Sequence, residues 1–184
     1  MKTFKFKNCE RIDLTQIKIE CENIDLVSIS LKYAESIYEE FTEEITRYMI
    51  PSPPKSVDES RAFISSSMEG MKDEHDLVVA IISKSGEFLG CAGFHGRGKC
   101  NTPEFGVWLK KSAHGNGYGK TAIHALWGWA LKNIEFDYAI YPVDVANERS
   151  RRIPESLGGV VFKELKVPCA SGGYLDEIVY RVSA

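Results

Sequence analysis

The chain has 184 residues, 43% of them hydrophobic and 27% charged, with a formal net charge of −3. This is the composition of a globular protein with enough chain for a sizeable core, read as one domain over residues 1–184. It excludes a general nucleic-acid footprint; no apolar run approaches membrane-spanning length, and the opening MKTFKFKNCE lacks the apolar stretch of a secretion signal.

Elements follow in chain order. Residues 17–21 and 25–30 read as two short strands around a turn at Glu22-Asn23. Ser30 is placed to cap a helix from Leu31 to about Glu44, with Tyr33, Ala34, Ile37, Tyr38 and Phe41 on one face. Its acidic residues, from Glu35 to Glu44, form the solvated face. Prolines at 51, 53 and 54 stop regular structure. Ser56 and Glu59 make a capping box for a second helix through about Met71.

Residues 77–83 predict a buried strand, and Phe88–Phe94 returns antiparallel after a tight turn. Glu104–Leu109 is the next strand. It runs into a glycine-rich loop, HGNGYG, and then an apolar helical pattern that places Trp127 and Trp129 in the core. A strand over 137–145 follows, where Pro142 predicts a bulge or an unpaired position. A short helix lies between Asn147 and Gly158, and a hairpin closes the chain. The fold class is therefore α+β, or mixed α/β, around a central mostly antiparallel sheet.

The strand–loop–helix at 103–129 is a ready site for an anion. A helix start carries N–H groups without intrahelical partners and a partial positive charge. Gly115, Gly117 and Gly119 let a phosphate approach the backbone, and Lys120 adds a full charge. The spacing is neither GxxxxGK[ST] nor GxGxxG, so nucleoside-triphosphate and Rossmann loops are set aside.

The loop resembles the acyl-CoA loop of the GNAT N-acetyltransferases, Q/R-x-x-G-x-G/A, with His114 in place of Gln or Arg and with Gly117 and Gly119 at the small positions. A second motif, NERSRRIPESLGG, is similar to the RimJ/RimL-like branch through Asn147, Ser150, Ile153, Glu155, Leu157 and Gly158. The resemblance covers residues 24–182. It implies a GNAT fold and acetyl transfer from acetyl-CoA to a primary amine.

It also implies cofactor contacts. The backbone of Asn116, Gly117, Tyr118, Gly119 and Lys120, beside His114 and Gly115, would hold the pyrophosphate. Val107, Trp108 and Leu109 would border a splayed strand gap with residues 141–145, where a backbone N–H polarises the thioester. Asn147 would bond the pantetheine arm. Pro154 stands where many GNAT enzymes have their acidic Tyr, so Ser150 is the expected proton donor, with helix capping as its other reading.

Glu104 is the first expected base and His95 the second. Arg47, Tyr48, Met49, Phe94, Trp108 and the last hairpin's turn are expected at the acceptor. The acceptor is a protein N-terminal amine or a small-molecule amine; a CoA-binding module without turnover is the non-enzymatic alternative. No metal, nucleic acid or membrane is expected, and the chain is expected to be a monomer or homodimer. Five scattered cysteines without a CxxC pair are expected as reduced thiols of a cytoplasmic protein, with Cys100 the one most open to oxidation.

Overall fold

The computed structural model describes residues 3–7 and 11–183; Cys9 and the end of the MKTFKFKNCE segment lie outside them. A short strand β1 (Lys5–Phe6) pairs with β7 (Ile134–Glu135) apart from the main sheet. The main sheet begins with the hairpin β2 (Lys18–Glu20) and β3 (Ile24–Ser28). Then come α1 (Ala34–Glu40), α2 (Glu43–Thr46), α3 (Val57–Lys72), β4 (Asp76–Ser83), β5 (Phe88–His95) and β6 (Glu104–Leu109). After them follow α4 (Tyr118–Asn133), β8 (Ala139–Asp144), α5 (Glu148–Glu155), β9 (Val160–Pro168) and β10 (Tyr174–Val182).

The eight strands run β2-β3-β4-β5-β6-β8-β10-β9, and every pairing but one is antiparallel. The exception is the parallel contact of β6 with β8, whose only paired residues are Glu104 and Ile140. Beyond that point the two strands part. Ile140 N–H donates to the Pro103 carbonyl on the β6 side at 2.8 Å. Pro142, two residues on, faces the same edge and has no N–H to leave unpaired. The expected unpaired position is thus the start of the gap.

Strand parity divides the sheet into two faces. On one, Phe94 and Phe105 meet 5.0 Å apart between centroids, and Trp127 of α4 packs 6.0 Å from Phe105. On the other, α1 and α3 cover β5 and β4, and Phe41 tilts against Trp108 at 4.7 Å. That contact explains the one helix that differs from expectation. The span 31–44 opens as a 3-10 turn over Leu31–Tyr33, where Ser30 makes no side-chain cap bond, and breaks at Phe41 and Thr42, because Phe41 leaves helical geometry at ψ 68° where its ring packs on Trp108.

Ser56 caps α3 as expected, accepting from Glu59 N–H at 3.4 Å, while the Glu59 carboxylate reaches back to Lys55 N–H at 2.9 Å. Cys100, expected to be the cysteine most open to oxidation, is buried at 3% exposure beneath Gly96, where a Cβ would come within 2.6 Å of its sulfur. No helix among the described residues is long and apolar enough to cross a membrane.

Candidate active site

Two cavities open on the sheet and touch at one place. The larger, of about 640 Å³, lies between the end of β6 and the starts of α4 and α5. The smaller, of about 340 Å³, lies on the α1/α3 face under the proline-rich loop. Met49, Val107 and Trp108 are the residues that line both.

The larger cleft gathers the expected cofactor residues. Val107, Trp108, Leu109, His114, Gly115, Gly117, Tyr118, Gly119, Lys120, Asn147 and Ser150 all line it. Gly117 is the N-cap of α4 at φ +76° without a side-chain cap, and Gly115 stands at φ +84°. A Cβ built on either glycine meets nothing within 4 Å, so the space above the helix start is open. The N–H groups of the first turn of α4 are therefore presented to it, and an anion is the ligand they fit. Gly119 differs: a Cβ there would lie in ordinary contact with the Ile153 and Leu109 side chains, at 3.6 Å from each.

Two loop side chains brace the loop. Asn116 does not line the cleft; its amide donates to the Ala113 and His114 carbonyls, both at 3.2 Å. The His114 Nε2 bonds the Leu109 carbonyl at 2.9 Å. An ion pair of Lys111 with Glu44 ties α2 to the loop across the cleft and holds the Glu44 carboxyl below its ordinary range.

The second motif is corrected in one respect. Asn147, not Ser150, caps α5, with its side-chain oxygen accepting from Ser150 N–H at 3.3 Å. Ser150 sits within the first turn, and its hydroxyl bonds the Tyr141 hydroxyl at 2.8 Å. Tyr141 is 2% exposed, and burial pushes its phenol up to about 12, with the Ser150 hydrogen bond opposing. Tyr141 therefore holds its proton at neutral pH. Sequence reading missed this partner, because nothing in a strand pattern shows that a tyrosine ends beneath a helix.

The smaller pocket has an apolar wall from Ile37, Phe41, Met49, Phe63 and Trp108. Its polar rim includes Glu104 and His95, which face each other across β5 and β6. Phe94 is a correction: it is fully buried on the opposite face, against Phe4 and Phe105, because its neighbours Gly93 and His95 take the pocket side. Tyr48 and Arg47 line the larger cleft instead, their cation and ring 5.4 Å apart. The turn of the last hairpin docks nearby, with Ala170 N–H donating to the Ile50 carbonyl at 2.8 Å.

Behind Glu104 lie two more carboxylates. Glu177 and Asp144 are register partners on β10 and β8, 8% and 7% exposed. Burial raises the Glu177 carboxyl above its ordinary value, and the charges of Glu104 and Asp144 raise it further. Among the described residues none of the three forms a salt bridge. The cation that lines the smaller pocket, Arg97, lies against Asp76 instead, at 3.9 Å.

The acetyltransferase (GNAT) domain matches residues 23–160. The chain belongs to the GNAT acetyltransferase family. Among curated proteins none matches the sequence significantly. Solved structures share the fold of this GNAT chain. RimL, a ribosomal L7/L12 alpha-N-protein acetyltransferase in complex with coenzyme A, superposes with a TM-score of 0.81 at 15% identity over 91% of this chain and 98% of its own. An acetyltransferase from Salmonella typhimurium that modifies the N-terminal serine of ribosomal protein L7/L12 gives 0.80 at 14% identity, over 91% and 99%. The microcin C7 self-immunity acetyltransferase MccE, with acetyl-CoA and AMP, gives 0.78 at 22% identity over 89% and 94%. Membership makes the chain an acetyl-CoA-dependent acetyltransferase, and the open glycine cradle at the α4 N-terminus fits that donor.

Proposed function

We propose that this GNAT enzyme acetylates the α-amine at a protein N-terminus. The observation that carries the reading is the junction of the two cavities. The acceptor pocket meets the donor cleft at Met49, Val107 and Trp108, with Glu104 and His95 on its rim. Its volume of about 340 Å³ suits a terminal residue with a compact apolar body. The carboxylates Glu104, Asp144 and Glu177, which lie within electrostatic reach of one another, attract an ammonium, the state in which an amine arrives.

Acetyl-CoA, when bound, supplies an activated acetyl thioester. The chain supplies the rest. First-turn N–H groups of α4 and Lys120 hold phosphate charge. A β6 N–H at Val107 or Trp108, in the strand gap, is the oxyanion donor. Glu104 and His95 draw in the acceptor and take its proton. Either hydroxyl of the Tyr141–Ser150 pair can donate; with Tyr141 as donor, the serine proton is free for the departing sulfur. Asn147, its oxygen engaged by the helix, keeps its amide for the cleft.

Two expected outcomes follow here. Ser150→Ala lowers kcat by about 10²-fold while the dissociation constant of coenzyme A stays within twofold; an unchanged kcat leaves Ser150 with a structural role alone. Glu177→Gln raises the melting temperature at pH 7. The sign comes from linkage: the native pKa is raised, so the wild-type carboxyl favours folding below its unfolded value near 4.5 and disfavours it as pH rises through the native value. The gain should therefore vanish in melts below about pH 4.

The reading is tested by thiol release from acetyl-CoA with a hexapeptide bearing an N-terminal serine, its N-acetylated form, phenethylamine, spermidine and kanamycin. The free hexapeptide is expected to give the highest kcat/KM. Turnover of a small amine alone overturns the protein acceptor and favours the second reading, a small-molecule amine; the pocket volume, at the lower end of small-molecule sites, is what favours it.

A further inference from the structure

We propose that Asp76 is a positioning residue that makes His95 the proton acceptor for the incoming amine. The proposal rests on the smaller pocket being the acceptor site. The register of β4 with β5 sets Asp76 opposite His95. Asp76 Oδ1 and His95 Nδ1 are 3.3 Å apart, with side chains 10% and 14% exposed. Both atoms are buried, and among the described residues neither has a hydrogen-bond partner. The carboxylate and the imidazole are each the group the other can reach.

Space for the pair is made by glycines. The His95 ring folds back over Gly93, where a Cβ would fall 2.2 Å from Nε2. Gly106, the β6 partner of Gly93, continues the bare patch, its Cβ position 3.8 Å from Nε2. On the far side Gly70 of α3 admits the carboxylate, since a Cβ there would lie 2.9 Å from Asp76 Oδ2. A ring resting on two glycines has one nitrogen toward Asp76 and the other toward the lining of the acceptor pocket, where Gly93, Glu104 and Gly106 also lie.

The charged surroundings are few. His75 Nδ1 is 3.4 Å and Arg97 Nε 3.9 Å from Asp76 Oδ2, which holds that oxygen toward them and leaves Oδ1 to His95. Glu104 faces His95 from β6, and Glu59 lines the pocket from α3. A carboxylate at Nδ1 keeps the proton on that nitrogen and leaves Nε2 with its lone pair. The step then balances. An ammonium N–H bond breaks, an Nε2–H bond forms, and the nitrogen keeps the electron pair with which it attacks. The imidazolium carries the charge beside Asp76 and returns the proton to water after turnover.

Long-range proton–nitrogen-15 spectra of the histidine rings read the tautomer without any acceptor, with the His95 signals assigned from His95→Gln. Wild-type His95 is expected as the Nδ1–H form, and Asp76→Asn as the Nε2–H form. In the thiol-release assay with the seryl hexapeptide, or phenethylamine if that is the amine turned over, Asp76→Asn is expected to lower kcat by about 10²-fold. The KM for acetyl-CoA stays unchanged, and Asp76→Glu restores part of the rate.

In the His95→Gln background, Asp76→Asn should add less than about twofold, since a residue acting through another has nothing left to act on. An Nε2–H tautomer in the wild type, or a fully additive loss in the double variant, overturns the proposal. Should Asp76→Asn fail to fold, Gly93→Ala displaces the ring with Asp76 in place and must reproduce the loss. If no amine is turned over, the function proposed above fails while the tautomer still decides the dyad.

Discussion

Replacing Gly117 by valine abolishes the stabilisation that acetyl-CoA gives the folded chain. Gly117 lies in the left-handed region at φ +76°, the last residue before α4. An L residue there costs about 1–2 kcal/mol, more for a β-branched one. A Cβ there would meet no protein atom within 4 Å, so the fold survives. The methyl groups would instead stand over the N–H groups of Tyr118, Gly119 and Lys120, where phosphate oxygens must come. At about a hundredfold excess over Kd, a ligand that binds only the native state adds about 2.7 kcal/mol, a rise of about 5–10 °C for a chain of this size.

The wild type is expected to show that rise with acetyl-CoA, a smaller one with adenosine triphosphate, and the variant none. Gly128→Ala is the control on the same helix: exposed, open around its Cβ and away from the loop, it should gain up to about 1 kcal/mol and keep the full ligand effect. A Gly117→Val protein that still melts later with acetyl-CoA would move the donor site elsewhere.

That loop was legible in the sequence because its chemistry is local. Positive φ, a helix start and a lysine lie within six residues, and each follows from residue type. The strand gap was legible only through resemblance, though Pro142 carried a physical sign of it. Phe94 shows a signal passed over: adjacent residues on a strand face opposite ways, so His95 and Phe94 could not both point into the pocket. The break in the first helix was hidden for another reason. Nothing between 31 and 44 forbids a continuous helix, and the contact of Phe41 with Trp108, far along the chain, decides the geometry.

The Asp76–His95 pair was hidden more deeply. It depends on the β4–β5 register, which shifts by an irregularity at Ile81/Ile82, and on glycines from three elements that clear its space. The tyrosine beneath Ser150 is of the same kind. A sequence pattern shows that Asn147 and Ser150 start a helix, and either could cap it. The fold gives the cap to Asn147 and leaves the hydroxyl for Tyr141.

Phe105→Ala is expected to cost about 3–5 kcal/mol of stability and to lower the melting temperature by about 6–20 °C. Phe105 is 1% exposed, and its ring lies 5.0 Å from Phe94 and 6.0 Å from Trp127. Those neighbours are themselves packed on Phe136, at 5.5 and 5.6 Å, so the cluster cannot close over the void without moving a strand or α4. The residue also couples stability to the site. Its own strand presents Glu104, Gly106 and Trp108 to the acceptor pocket, and Trp127 belongs to the helix whose first turn borders the donor cleft. Loss of the ring should therefore weaken acetyl-CoA binding although Phe105 touches neither cavity. Urea unfolding with and without acetyl-CoA measures both effects. A loss below about 1 kcal/mol would mean that the cluster collapses freely around the gap. A full loss of stability with unchanged acetyl-CoA affinity would mean that α4 holds its position on β6 through Leu109 and Gly119 alone.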